Sequence, residues 1–76
     1  MSRLLTPAEL AEILGVNVSI VQKHIGSLLG VIKHGDSYYF SVEWVRKLIE
    51  YLRFQNQHFV ADVIEARLEE WLAANP

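Results

Sequence analysis

No cysteine occurs in the chain, which removes disulfides, zinc–thiolate centres and thiol nucleophiles from consideration. No apolar run is long enough to span a bilayer, and the N-terminus lacks a signal-peptide pattern. A cytoplasmic protein with no membrane partner is therefore the default expectation. There is no internal repeat, low-complexity stretch or interdomain linker, so residues 1–76 are expected to form a single domain. That length is close to the lower limit at which a chain buries a core unaided. Acid is missing too from one long segment: residues 17–35 hold no Asp or Glu, only Lys23, His24, Lys33 and His34 as titratable side chains.

What is present is apolar. The chain is 51% hydrophobic, too rich for intrinsic disorder and high for so small a monomer, which points to a self-association surface. A net charge of −2 argues mildly against non-specific nucleic-acid binding. The charge is polarised, however. Arg3, Lys23 and Lys33 balance Glu9, Glu12 and Asp36 in residues 1–40, and all the excess acid lies in residues 41–76.

Local signals divide the chain into four helices and a hairpin, a mostly α fold with a small β element. In "LLTPAEL", Thr6 is an N-cap, Pro7 suits the first helical position and Glu9 completes a capping box, while Leu5 and Leu10 are placed for a hydrophobic staple. The first helix is expected over residues 7–14, with Leu10, Ala11 and Leu14 on its apolar face, Ile13 at the edge and Gly15 closing it. A second helix over 18–29 follows Asn17 as cap, with Val21, Ile25 and Leu28 facing the core. The short turn between the two, with Val16 expected to plug the corner, is the helix-turn-helix arrangement.

"VIKHGDSYYF", residues 31–40, alternates β-formers around Gly35-Asp36, the pattern of a two-stranded hairpin with a tight turn. Ile32, Tyr38 and Phe40 are expected to lie against the helices, since two strands alone are barely stable in water. Ser41 caps a third helix over 42–54 with Val45, Leu48, Ile49 and Leu52 as its core stripe. The polar "QNQH" reads as a bend before a fourth helix over 58–73, carrying Val60, Val63, Ile64, Leu68, Trp71 and Leu72 on its apolar side.

Helix, tight turn, helix, hairpin, helix is the winged helix-turn-helix order. "LLTPAELAEILGVNVSIVQKHI" followed by "VIKHGDSYYFSVEWVRKLIEYL" resembles the wing-bearing DNA-binding domain of phage excisionases and MerR-type regulators. Thr6, Glu9, Ala11, Leu14, Gly15, Val16, Val21, Gly35, Tyr39, Ser41 and Val45 carry that resemblance, which covers residues 4–52. It implies that the second helix enters the major groove of double-stranded DNA with Val18, Ser19, Gln22 and Lys23 facing it. Gln22 is suited to an adenine edge, Lys23 to a guanine or a phosphate. The wing tip, with Lys33, His34, Gly35 and Ser37, would lie along the neighbouring backbone. Where relatives often carry basic residues, this chain has Val18, Ser19 and Asp36, which implies fewer phosphate contacts.

Other chemistries have less to stand on. His24, His34 and His58 lack metal-ligand spacing, so no metal or cofactor is expected. The serines have no histidine arranged as a base, the acids form no paired constellation, and there is no Gly-rich phosphate loop. Catalysis is not expected. Tyr38, Tyr39 and Phe40 could stack on bases, but wing aromatics more often pack inward. Two readings stand beside DNA binding: a protein-interaction module on the same fold, motivated by net acidity and by Val18 and Ile20, and RNA binding through the same surface. A homodimer through the third and fourth helices is also expected, with Trp44, Tyr51, Phe59, Ile64 and Trp71 as its interface. The alternative is that these residues close a single core.

Overall fold

The computed structural model describes residues 3–24 and 30–76. Its elements in chain order are β1 (Leu4–Leu5), α1 (Pro7–Leu14), α2 (Val18–His24), β2 (Ile32–His34), β3 (Ser37–Ser41), α3 (Val42–Phe54) and α4 (His58–Ala74). The expected continuation of the second helix through Ile25 and Leu28 lies outside the described residues.

The helix ends follow from local side-chain chemistry. At α1 the Thr6 hydroxyl accepts the Glu9 N–H at 3.2 Å and the Glu9 carboxylate accepts the Thr6 N–H at 2.9 Å, the reciprocal capping box. The helix closes at Gly15, whose φ of +73° suits glycine. The Gly15 N–H donates to Glu12 O at 3.3 Å and the Val16 N–H to Ala11 O at 3.0 Å, the paired bonds of a Schellman motif. α3 starts at Ser41, whose hydroxyl accepts the Trp44 N–H at 3.0 Å. It ends in the same way as α1, with Asn56 at φ +62° and the Gln57 N–H reaching Leu52 O at 2.8 Å.

The hairpin has the expected tight turn. His34 pairs with Ser37, and Gly35 at φ +65° precedes an Asp36 without positive φ, the type II′ pattern. Two expectations change here. The sheet has three antiparallel strands in the order β1-β3-β2, because Leu4 and Leu5 pair with Ser41 and Phe40 along the free edge of β3. Ile32 is exposed rather than packed on the helices. It lies opposite Tyr39, so the two-residue period of the strand puts it on the face away from Tyr38 and Phe40.

One core joins the elements: Leu5 from β1, Leu10, Ala11 and Ile13 from α1, Val21 from α2, Phe40 from β3, Val42, Val45 and Ile49 from α3, and Ala61, Ile64, Leu68 and Trp71 from α4. In α1 it is Ile13 that is fully buried, with Leu14 half-buried at the edge. Val16 is exposed rather than plugging the corner between the two helices. α4 buries residues 61, 64, 68 and 71 at alternating spacings of three and four, a single helical stripe, and leaves Val60 exposed beside it.

Charged side chains tie the helices at the surface. Arg53 on α3 bonds Asp62 at 2.8 Å and Glu65 at 3.2 Å on α4, and Arg46 bonds Glu69 at 3.1 Å. The Asp62 hydrogen bond raises the Arg53 pKa above its usual value. Arg3 joins the two ends of the described chain: its guanidinium lies 5.0 Å from the Trp71 ring centroid and donates to Asn75 O past the end of α4.

Candidate nucleic-acid interface

α2 begins where Asn17 Oδ1 accepts the Ser19 N–H at 3.2 Å, supporting Asn17 as the residue that starts the helix. Its length is enough for two faces. Val21 is buried and Val18, three residues earlier on the same stripe, is half-buried against the core. Val18 is thereby withdrawn from the row expected to face a partner. Ser19, Ile20, Gln22, Lys23 and His24 are exposed.

The hairpin supplies the second wall. Lys33, His34, Gly35, Asp36 and Ser37 are all exposed. Lys33 sits directly across from Tyr38, and its Nζ lies 5.9 Å from that ring centroid, a weak cation–π contact. Between α2 and the hairpin lies an open groove of ≈ 430 Å³ lined by Thr6, Pro7, Gln22, Asp36, Ser37, Tyr38 and Tyr39.

Of the expected contact residues, the groove brings together Gln22 and Ser37. Ser19, Lys23, Lys33, His34 and Gly35 are exposed but do not line it. Thr6 and Pro7 join it from the start of α1, far from Gln22 in sequence, and no local pattern announces that. Tyr38 and Tyr39, expected to pack inward, are half-buried and still reach the groove. The lining offers an amide that both donates and accepts, the hydroxyls of Thr6, Ser37, Tyr38 and Tyr39, and one carboxylate. Such a mixture suits hydrogen bonding to base edges better than it suits a phosphate, which Asp36 opposes.

A second groove, of ≈ 520 Å³, runs between α1 and α4. Glu9, Glu12 and Glu70 on its walls outweigh Arg67, so its charge has the wrong sign for a polyanion.

The five residues expected at a dimer interface are divided by the fold. Ile64 and Trp71 are buried in this chain's own core, because they continue the α4 stripe that also carries Ala61 and Leu68. Trp44 is half-buried, its ring 5.3 Å from that of Phe40. Tyr51 and Phe59 remain exposed, joined by Phe54. Among the described residues no helix is long and apolar enough to cross a membrane. No protein-family model, curated protein or solved structure matches this chain.

Proposed function

We propose that this chain is a winged helix-turn-helix protein that binds double-stranded DNA, as a transcriptional regulator or recombination accessory factor of excisionase-like or MerR-like type, in the cytoplasm. The observation that carries this reading is that Gln22 of α2 and Ser37 of the hairpin line one groove, within a segment whose neighbouring cations, Lys23 and Lys33, are both exposed. In this reading α2 lies in the major groove. Gln22 bonds an adenine through its N6 and N7, Lys23 takes a guanine or a phosphate, and the wing residues Lys33 to Ser37 follow the adjacent backbone. Ile20, half exposed beside them, is placed to meet a thymine methyl.

Fluorescence anisotropy of a labelled random duplex at low salt tests it. Binding is expected, with the logarithm of affinity falling linearly with the logarithm of salt. Reversing Lys23 or Lys33 to Glu should flatten that slope by about one each. No binding, or a slope indifferent to both reversals, overturns the reading. Replacing the duplex with RNA separates the third alternative. The second reading, a protein-interaction module, is favoured by one observation, the exposed Ile20 on α2. It would be supported by a stoichiometric protein partner that binds without nucleic acid and is lost in Ile20→Glu.

A further inference from the structure

One acid stands alone in the acid-poor stretch of the chain. From residue 13 to residue 42 the only carboxylate is Asp36. It is exposed at the tip of the β2–β3 hairpin and lines the α2–hairpin groove together with Gln22 and Ser37. The turn does not account for it. The positive φ falls on Gly35 and not on Asp36, so an uncharged residue serves that position equally well. Pairing does not account for it either. Asp36 enters no ion pair among the described residues, and Lys33 holds its Nζ 5.9 Å from the Tyr38 ring centroid instead. We propose that Asp36 is a specificity-determining residue, whose carboxylate accepts a hydrogen bond from an exocyclic amino group of a G·C base pair.

The inference rests on the DNA-binding reading and narrows it by donor and acceptor chemistry. An ionised carboxylate only accepts hydrogen bonds. Duplex DNA presents phosphates, which repel it, ring nitrogens and carbonyls, which also only accept, and the amino groups of adenine, cytosine and guanine. Those amino groups are the sole partners left. Adenine N6 stands beside the acceptor N7, a pair that suits the donating and accepting amide of Gln22 better than a carboxylate. The G·C pair remains, with cytosine N4 in the major groove and guanine N2 in the minor groove. No other residue lining this groove is charged, so nothing there neutralises Asp36 or offers a phosphate an alternative contact. Where the rest of the hairpin follows the DNA backbone, Asp36 therefore addresses a base edge. It lowers affinity for every sequence that brings no amino group to it.

Selection from duplexes with a randomised centre, followed by sequencing of the bound fraction, tests this. The wild type is expected to enrich a G·C pair by roughly tenfold at one position, near the A·T pair that Gln22 takes. Asp36→Ala should bring that enrichment to about twofold or less and leave the A·T preference in place. The same variant should bind random duplex more tightly at low salt, so that affinity and selectivity move in opposite directions. Glu50→Ala removes an equal charge from an exposed site on α3 and should leave both preferences unchanged, which separates a base contact from a general charge effect. Inosine in place of guanine at the enriched pair removes only the minor-groove amino group. Loss of the preference then assigns the contact to guanine N2, and retention assigns it to cytosine N4. A selection that recovers no bound duplex overturns the DNA-binding reading and this inference with it. Bound duplexes with no G·C enrichment, or with the same enrichment in Asp36→Ala, overturn this inference alone.

Discussion

Replacing Gly15 with alanine should destabilise the protein through its backbone, and the structure lets two causes be separated. Gly15 closes α1 with φ at +73°, a region in which a Cβ meets the following carbonyl and costs about 1–2 kcal/mol. A Cβ here would also fall on the Arg67 guanidinium of α4, whose Cζ would lie 2.6 Å away. Arg67 is the end of a long, flexible side chain on an exposed helix face, so it swings aside at small cost. The backbone therefore decides. Alanine also stiffens the unfolded chain, which returns about 0.4–1 kcal/mol, but at an incompatible φ the loss is the larger effect. A net destabilisation of about 1 kcal/mol is expected, which for a domain of this size lowers Tm by about 4–8 °C.

The assay is thermal and urea unfolding of Gly15→Ala, Gly15→Asn, Arg67→Ala and the two double variants. Asparagine adds a similar Cβ but tolerates the left-handed region, so Gly15→Asn should be the more stable of the two. The gap between alanine and asparagine should persist in the Arg67→Ala background. Were alanine as stable as glycine, or were Arg67→Ala to erase its penalty, the argument from φ would be wrong. The turn matters beyond stability, since it sets the angle at which α2 leaves α1. Gly15→Ala should then weaken any DNA binding even at temperatures where the chain stays folded.

Phe40 is fully buried at the centre of the sheet, between the β1 pairing and the Trp44 ring, so Phe40→Ala should cost about 3–5 kcal/mol; a urea midpoint that barely moves would show that the core had been misread. Asp36 is the one carboxylate lining the α2–hairpin groove, and Asp36→Asn should strengthen duplex binding at low salt, with the gain fading as salt rises. Unchanged or weaker binding would place the DNA elsewhere.

The elements that were legible in the sequence are those written in short-range rules. The Thr6–Glu9 capping box, the Gly15 closure, the Ser41 cap and the Gly35-Asp36 turn each involve residues at most a few positions apart, and each stands where the sequence puts it. Helix limits at residues 7–14 and 42–54 follow, since caps and breakers act on their own turn. The Leu4–Leu5 strand was not legible. Two residues carry no periodicity, and they become a strand only because the far edge of β3 offers hydrogen bonds to be filled. The apolar residues of α4 illustrate the same limit. Its sequence holds more of them than one stripe can bury, and local pattern alone leaves open which are sacrificed. Packing against α1 and α3 chose the stripe of Ala61, Ile64, Leu68 and Trp71 and left Phe59 and Val60 in water. The meeting of Gln22 with Thr6, Pro7 and the hairpin was likewise decided by tertiary structure, because a groove between distant segments exists only once the chain has closed on its core.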